Sequence, residues 1–196
     1  MSVDGGAPEA LAMFYVAKRR AVLNSVELSD RGEGEALVRT LWTGLSRGTE
    51  RLVFEGRIPL DEHDRMRAPF QEGDFPFPVK YGYCAVGVVE EGPADLVGRE
   101  VFCLHPHQDR FVAPVTMLTP LPDGLPARRA VLTANRETAL NGGWDSGVGP
   151  GSRVVVIGCG VVGLLVGALV AQIPGVDVTL IDIDASRAGI ARSLGC

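Results

Sequence analysis

The sequence predicts an α/β protein in which a β-rich amino-terminal part precedes a part of alternating strands and helices. Before about residue 120, short β-prone segments are separated by turns rich in glycine, proline and acidic residues. Beyond it, longer apolar segments alternate between the lengths of a strand and a helix. The chain also holds 25 glycines, many in short groups bounded by Val, Ile or Leu, as tight turns require. We therefore predict one domain over residues 1–120 and a second over 121–196.

Composition and charge restrict the class of partner. The chain has 196 residues, of which 46% are hydrophobic, and this is enough apolar material for a sizeable core. A formal net charge of -5 argues against binding to nucleic acid or a membrane surface, because both attract a basic face. The first ten residues are polar and contain glycine and proline, so no secretion signal is predicted. We expect a cytoplasmic protein with a small-molecule substrate.

The elements of the first domain are short strands of an irregular barrel or sandwich. In chain order, they are predicted in the segments MFYVAKRRAVLNSVEL, GEALVRTLWTGL, GYCAVGVVEE and REVFCLHPHQDRFVAP. A polar, proline-rich loop over 57–78 interrupts them. The second domain begins with a helix, predicted from the helical spacing of Ala130, Val131, Ala134, Thr138 and Ala139. We expect Gly142 and Gly143 to end that helix.

A glycine motif between a strand and a helix is the most specific signal in the chain. The β-branched run Val154–Ile157 predicts a strand buried on both faces, and Gly158-x-Gly160-x-x-Gly163 follows it directly. The three glycines permit, in order, a tight turn, the approach of a pyrophosphate and close packing of helix on strand. N–H groups at the start of the helix, which includes Val161 and Val162, would then meet the phosphates. The motif predicts a dinucleotide site, the alternative being a glycine-tolerant core helix.

The second strand of this unit, DVTLID, indicates which dinucleotide binds. It ends in Asp182, about twenty residues beyond the glycines, where a carboxylate can accept hydrogen bonds from both ribose hydroxyls of adenosine. Because the same carboxylate would repel a 2′-phosphate, NAD is predicted in preference to NADP. Arg187 follows shortly after. It could assist a 2′-phosphate, but we expect it to stack on the adenine or to lie in solvent.

Cysteine and histidine residues raise the question of a metal. The four cysteines lie far apart and form no Cys-x-x-Cys pair, so reduced buried thiols are expected rather than a zinc ribbon or disulfides. Cys103, His105 and His107 are spaced by two, which on one strand would place them on one face. Pro106 interrupts that strand and no fourth ligand is evident. We therefore expect no metal at this place and interpret the histidines as polar residues near a cleft.

Four segments resemble motifs of the medium-chain dehydrogenase/reductase superfamily, the alcohol dehydrogenases with a GroES-like catalytic domain. In order, they are GLSRGTE, VKYGYCAVGVVEEG, TANRETALNGG and VIGCGVVGLL. The run SRGTERLVFEGRIP resembles a zinc-free branch that contains bacteriochlorophyllide dehydrogenase-like proteins. The resemblance implies a GroES-like domain followed by the first half of a Rossmann domain. Because the family continues beyond "ARSLGC", it also implies either that the chain is part of a longer protein or that the remaining half is supplied elsewhere. The full-length protein is expected to form a homo-oligomer, a dimer or tetramer.

The resemblance further implies a reaction without zinc. The three zinc-ligand positions of the family hold Ser46, Tyr83 and Ala134 here, or Arg47 in place of Ser46, and none of these supplies a metal ligand. Hydride transfer between NAD(H) and an alcohol, a carbonyl or an activated double bond is then expected.

Several polar residues are candidates for that chemistry. The preferred hydrogen-bond donor to the substrate oxygen is Tyr83, which could instead only fill the space of the metal. The other assignments are Ser46 and Thr49 as hydroxyl donors, His107 as acid/base, Glu50 orienting its loop, Arg47 at the pyrophosphate and Thr138 facing the nicotinamide. Two further functions stay open: a non-catalytic dinucleotide-binding module, and a zinc enzyme whose ligands are Cys84, Cys103 and His105.

Overall fold

The computed structural model describes residues 9–196, which have mixed α/β structure as predicted. They divide into two compact units, of which the first runs to Leu132 and the second from Thr133 to Cys196. Among the described residues, no helix is both long and apolar enough to cross a membrane.

The first unit is built from two antiparallel sheets. Its strands are β1 Glu9–Ala17, β2 Arg20–Glu27, β3 Glu35–Thr43, β4 Glu72–Gly73, β5 Val79–Lys80, β6 Ala85–Glu91, β7 Glu100–Cys103, β8 Arg110–Pro114 and β9 Thr119–Pro120. One sheet has the order β2-β1-β5-β4 and the other β8-β3-β6-β7-β9. The helices are α1 Thr49–Phe54 and α2 Ala127–Ala130, with 3₁₀ turns at Leu60–Glu62 and Val115–Met117.

Two of the predicted segments each form two strands. The first folds as the β1–β2 hairpin, in which Arg19 takes a positive φ of 59° at the turn. The last divides into β7 and β8, and β7 already ends at Cys103. Cys103, His105 and His107 therefore do not share one strand, in line with the interruption expected at Pro106. The loop over 57–78 is mostly irregular as predicted, and holds only one 3₁₀ turn and the two-residue β4.

Each sheet of the first unit contributes to its own hydrophobic core. Val38, Val89, Val101 and Phe111 are fully buried within the five-stranded sheet's cluster. A second cluster lies beside β1 and β5 and contains the aromatic residues Tyr15, Phe75 and Tyr81, with Val53 and Val79. This second cluster surrounds the polar residues of the candidate site.

The second unit consists of helices around a two-stranded parallel sheet. Its elements are α3 Thr133–Asp145, β10 Arg153–Ile157, α4 Val161–Val170, β11 Asp177–Ile181 and α5 Ala188–Ser193, with a 3₁₀ turn at Ala185–Arg187. β10 pairs with β11 so that Val154 lies opposite Val178. The strand, glycine turn, helix and second strand thus follow the predicted order.

Two details of the predicted second part are wrong. The helical segment is broken at Val131 and Leu132 into α2 and α3, and α3 continues through Gly142 and Gly143 to Asp145. Gly143 is buried, and a side chain there would lie 3.7 Å from Val170 of α4. Packing of α3 on α4 therefore outweighs the low helix propensity of the two glycines.

The first strand of the glycine unit is also not buried on both faces. Val155 and Ile157 of β10 are 60% and 84% exposed, whereas Val154 and Val156 are half-buried. The half-buried face is the one that α4 covers, since a Cβ at Gly163 would lie 3.6 Å from Val156. Only one face of β10 has a neighbouring layer among residues 9–196.

Candidate functional site

The glycine motif forms a tight turn between β10 and α4. Gly158 has a φ of +100°, a conformation that side chains disfavour, and its N–H donates to the Ile181 carbonyl at 2.7 Å. A Cβ at Gly163 would overlap the carbonyl oxygen of Gly158, so only glycine lets the helix pack this closely on the turn. A Cβ at Gly160 would meet nothing within 4 Å. The backbone at Gly160 is thus open to the approach of a ligand.

The amino terminus of α4 presents backbone N–H groups beside this open glycine. Gly160 is the residue that caps the helix, and no side chain in the described chain caps it. Val161 and Val162 begin the helix and are 48% and 38% exposed. Helix N-termini favour anions, because the unpaired N–H groups and the helix dipole both point toward them. The turn therefore has the geometry of a phosphate-binding loop.

Asp182 follows β11 directly and is tied to the glycine turn. Its carboxylate accepts the N–H of Asp184 at 2.8 Å and that of Cys159 at 2.6 Å. These two hydrogen bonds hold the pKa of Asp182 below its ordinary value. Since the residue remains exposed, its ionised carboxylate is held in place beside the turn with further acceptor capacity.

Among the described residues, the ion-pair partner of Arg187 is Asp184 rather than Asp182. Its Nε forms an ion pair with Asp184 at 3.2 Å, which occupies part of the guanidinium. Both carboxylates and Arg187 line a cavity of about 250 Å³, with Cys159 and Cys196. The cavity lies where the side chains following β11 meet α5, at the edge of the glycine turn.

In the first unit, Glu50 is the centre of a buried hydrogen-bond network. Its side chain is 3% exposed, and its Oε2 lies 2.8 Å from the Tyr15 hydroxyl and 2.6 Å from Nε2 of His107. Its Oε1 accepts the backbone N–H of Ser46 at 2.7 Å. His107, 5% exposed, makes a second bond between its Nδ1 and the Thr43 hydroxyl at 2.5 Å. Three segments of the unit thus meet at one carboxylate, and the end of β3 joins them through His107.

Two tyrosines near Glu50, Tyr15 and Tyr81, stay protonated. Burial, followed by the neighbouring Glu50 charge, raises the pKa of Tyr15 well above its ordinary value. Burial and the nearby Tyr83 and Glu50 also raise the pKa of Tyr81. Tyr15 therefore acts as a hydrogen-bond donor to Glu50 at all physiological pH values.

Of the candidate catalytic hydroxyls, Tyr83 packs against the aromatic cluster beside this network. Its half-buried ring meets that of Tyr81 edge-on, with the centroids 6.1 Å apart. No group in residues 9–196 hydrogen-bonds its hydroxyl. Ser46 is buried beside Glu50, whereas Thr49 is half-buried at the first position of α1.

An apolar cavity of about 370 Å³ adjoins the network. Ser46 and Glu50 line it together with Tyr15, Leu45 and Phe54. Arg47 also lines this cavity and is exposed. In the second unit, the Thr138 hydroxyl donates to the Ala134 carbonyl at 3.0 Å within α3.

The rearranged zinc site with Cys84, Cys103 and His105 has no counterpart in the structure. Burial raises the pKa of both thiols to about 12, so neither is a thiolate at neutral pH. The His105 ring stacks on Phe111 with centroids 3.9 Å apart, and burial lowers its pKa to about 3. Within the described residues, no group of three Cys, His, Asp or Glu side chains is placed to hold a metal ion.

Sequence reasoning missed Thr43 and Tyr15, the two outer members of the network. Tyr15 lies 35 positions before Glu50, and Thr43 lies 64 before His107. No local motif joins residues so far apart. The only signals were a tyrosine at an inward position of β1 and a threonine at the end of β3.

Comparison with known proteins identifies the fold. No protein-family model matches the sequence. Among solved structures, a quinone oxidoreductase from Pseudomonas syringae pv. tomato is 21% identical, with a TM-score of 0.73 over 95% of this chain and 57% of its own. Acetophenone reductase from Geotrichum candidum, in complex with NAD, is 17% identical, with a TM-score of 0.76 over 97% of this chain and 63% of its own.

A third similar structure is a proposed zinc-binding dehydrogenase from Sinorhizobium meliloti, bound to NADP. It is 18% identical, with a TM-score of 0.75 over 96% of this chain and 60% of its own. The chain thus spans about 60% of the length of the structures that it matches. It has the fold of the medium-chain dehydrogenases and reductases, a GroES-like β-rich domain followed by part of a Rossmann domain.

Proposed function

We propose that the protein is a nicotinamide-dependent oxidoreductase of the medium-chain dehydrogenase/reductase superfamily that works without zinc. The observation that carries this proposal is the glycine turn, open at Gly160 and joined to the carboxylate of Asp182 by the Cys159 N–H. Two of the structures with this fold were solved with NAD and NADP. The reaction would move a hydride between NAD(H) and an alcohol, a carbonyl or an activated double bond.

The residues of the second unit suit the binding of the dinucleotide. The N–H groups at Val161 and Val162 would hold its pyrophosphate, and Asp182 its adenosine ribose. When bound, the nicotinamide supplies the hydride acceptor or donor. We propose NAD rather than NADP, because a 2′-phosphate would meet the negative charge of Asp182. Arg187 would offset little of this repulsion, because its guanidinium is paired with Asp184.

The residues of the first unit suit the proton part of the reaction. We assign the Tyr83 phenol as a hydrogen-bond donor to the substrate oxygen, with Ser46 and Thr49 as further hydroxyls, and His107 as the group that takes or gives the proton. Absence of a metal ligand from the sequence positions of Ser46 and Tyr83 supports a zinc-independent mechanism. The apolar cavity beside Ser46 and Glu50 favours a substrate with a substantial hydrocarbon part.

Coenzyme binding by the natural full-length protein tests this proposal. NADH should bind more tightly than NADPH, as measured by fluorescence titration, and Asp182→Ala should narrow or reverse the preference. Asp177→Ala is a matched control, because it removes the same charge from the far end of β11. Equal affinities for the two coenzymes in the unmutated protein would contradict the assignment of NAD.

Metal analysis tests the zinc-independent part separately. Protein purified without a chelator should contain well under one zinc ion per chain, and a chelator should leave hydride transfer from NADH unchanged. Tightly held, stoichiometric zinc would show that the metal-free mechanism is wrong, whatever coenzyme binds.

A further inference from the structure

A second cavity of the first unit, of about 530 Å³, lies apart from the cavity beside Glu50. Its lining comes from the end of β2 and the residues after it, from β4 and the two residues before it, from Lys80 of β5, and from β8 with the segment before it. None of these residues lines the cavity beside Glu50. The two cavities are therefore separate places in the same unit.

Lys80 brings a buried cation to this second cavity. The residue is 3% exposed, and its Nζ forms an ion pair with Glu72 and donates to Oε1 of Gln108 at 2.9 Å. Gln108 is itself fixed, because its amide donates to the Arg110 carbonyl at 2.7 Å. An ammonium carries three hydrogens, so one of them has no partner among the described residues. Lys80 is thus held in place with one hydrogen left for a further acceptor.

His105 offers a hydrogen-bond acceptor to the same cavity. Its Nδ1 lies 3.0 Å from the carbonyl oxygen of Pro106, which can only accept, so Nδ1 carries the hydrogen. Burial lowers the pKa of His105 to about 3, so the ring is neutral and Nε2 keeps a free lone pair. No described residue donates to this Nε2.

The free nitrogen of His105 is accessible from the cavity. Among the described residues, every fully enclosed side-chain nitrogen or oxygen has a hydrogen-bond partner, so an Nε2 without one cannot be fully enclosed. Since His105 is only 4% exposed and lines the cavity, that opening is toward the cavity. A buried acceptor without a partner is costly unless a ligand or water supplies the donor.

Two aromatic rings hold the imidazole of His105 in position. Phe111 stacks on it with the centroids 3.9 Å apart, and the Phe70 ring lies 5.0 Å from it at an angle of 36°. Phe70 takes a φ of +56°, a conformation that bulky side chains disfavour. The chain thus accepts an unfavourable backbone conformation at the residue whose ring meets His105.

The charges around the cavity favour a neutral ligand. Glu27 and Glu72 contribute two negative charges to its lining and Lys80 one positive charge, whereas His105 is neutral. An anion would therefore meet a net negative lining, and a cation would be repelled by the ammonium. Lys80 is close enough to His105 for its charge to lower the pKa of the imidazole further. A single hydroxyl group can donate to one of these residues and accept from the other.

We propose that this cavity binds a neutral small molecule that carries a hydroxyl on an apolar body. The hydroxyl donates to Nε2 of His105 and accepts from Nζ of Lys80, and the apolar body lies against Val26, Leu28 and Val112. The volume of about 530 Å³ is typical of small-molecule sites. This site is independent of the proposed oxidoreductase function, because no residue assigned to the coenzyme or to the reaction lines it.

Phenol, anisole and benzoate test the chemistry of this site in the natural full-length protein. Phenol donates and accepts a hydrogen bond, anisole has the same ring but only accepts, and benzoate is an anion. Phenol also has no carbinol hydrogen, so it cannot be a dehydrogenase substrate. Calorimetric titration without coenzyme should give phenol a dissociation constant of about 1 mM. Anisole and benzoate should each bind at least about tenfold more weakly.

The titrations have two results that would overturn the proposal. One is binding of anisole or benzoate as tight as that of phenol, because the donor to His105 and the neutral charge would then not matter. The other is the absence of saturable phenol binding up to about 10 mM.

His105→Phe locates the bound phenol. This variant keeps an aromatic ring against Phe111 and removes the acceptor, so it should weaken phenol binding at least about tenfold. His63→Phe is the matched control, because the His63 ring meets Phe75 outside the cavity, and it should bind phenol as the parent does. Circular dichroism checks that both variants fold. Unchanged phenol affinity in a folded His105→Phe would place phenol elsewhere and overturn the proposal.

Nitrogen-15 NMR of the unmutated protein provides a readout that needs no variant. The His105 ring signals, assigned by through-bond correlation to its backbone, should show a protonated Nδ1 and a bare Nε2 at neutral pH. Phenol should shift the Nε2 signal, and anisole at the same concentration should leave it in place. A protonated Nε2 in the free protein, or an Nε2 signal that saturating phenol does not move, would contradict the site.

Discussion

Replacement of Glu50 by alanine tests whether one carboxylate organises the first unit. The side chain accepts three buried hydrogen bonds, from the Ser46 N–H, the Tyr15 hydroxyl and Nε2 of His107. Its truncation leaves three donors without an acceptor in a region that is almost closed to solvent.

The magnitude follows from the number of bonds lost. A buried donor that loses its partner costs about 1 to 2 kcal/mol when some water can enter the space. Three donors therefore predict a loss of about 3 to 6 kcal/mol for Glu50→Ala, a large part of the ~5 to 15 kcal/mol that stabilises a typical domain. Tyr15→Phe removes one donor from the same carboxylate and should cost about 1 to 2 kcal/mol.

Urea denaturation followed by tyrosine and tryptophan fluorescence measures these differences. Glu50→Gln is the matched control, because it keeps the size of the side chain and one carbonyl oxygen. Its free energy of unfolding should lie between those of the alanine variant and the parent. If Glu50→Ala lowers the free energy of unfolding by less than about 1.5 kcal/mol, or by no more than Tyr15→Phe does, the network does not have the stabilising role that its geometry implies.

Three further predictions concern single residues outside that carboxylate. If the Tyr83 phenol donates a hydrogen bond to the substrate oxygen, Tyr83→Phe should keep the NADH affinity and slow hydride transfer by about tenfold to a thousandfold. A hydride-transfer rate within about twofold of the parent would mean that the Tyr83 side chain has only a packing role. Because burial lowers the pKa of His105 from 6.5 to about 3, the unfolded chain takes up a proton in this range that the folded chain does not. Stability should therefore fall by about 1.4 kcal/mol per pH unit as the pH drops from 6.5 toward 3, and urea titrations of His105→Gln should lack that slope. Gly163→Ala should destabilise the second unit and weaken NADH binding, because the added Cβ would overlap the Gly158 carbonyl oxygen. Gly189→Ala is the control, since its Cβ would enter open space, and it should change neither the stability nor the NADH affinity appreciably.

Local patterns predicted the second unit well, because its signals lie within a few residues of one another. The β-branched run and the glycines are consecutive in the chain, and Asp182 follows about twenty residues later, at the end of the next strand. The same patterns failed where a neighbouring element decides the outcome. α3 continues through Gly142 and Gly143 because it packs on α4, and β10 exposes Val155 because only one of its faces is covered. Neither fact is visible in a window of ten residues.

In the first unit, local patterns predicted most strands but could not predict the partners of Glu50. A buried carboxylate such as that of Glu50 must be stabilised, either by a cation or by hydrogen-bond donors. From the sequence we expected only that Glu50 orients its loop. In the structure, its described partners are the backbone N–H of Ser46, a phenol contributed by β1 and an imidazole from the segment before β8.

This choice of partners bears on how a site without metal ligands at Ser46 and Tyr83 could handle charge. An arginine paired with Glu50 would neutralise it permanently, and the pair would have no further capacity for a proton. The two donors and the imidazole instead occupy both oxygens of Glu50 with hydrogen bonds and hold His107 through its Nε2. Under the proposed function, His107 would therefore take or give the substrate proton from a ring whose two nitrogens are both held by hydrogen bonds.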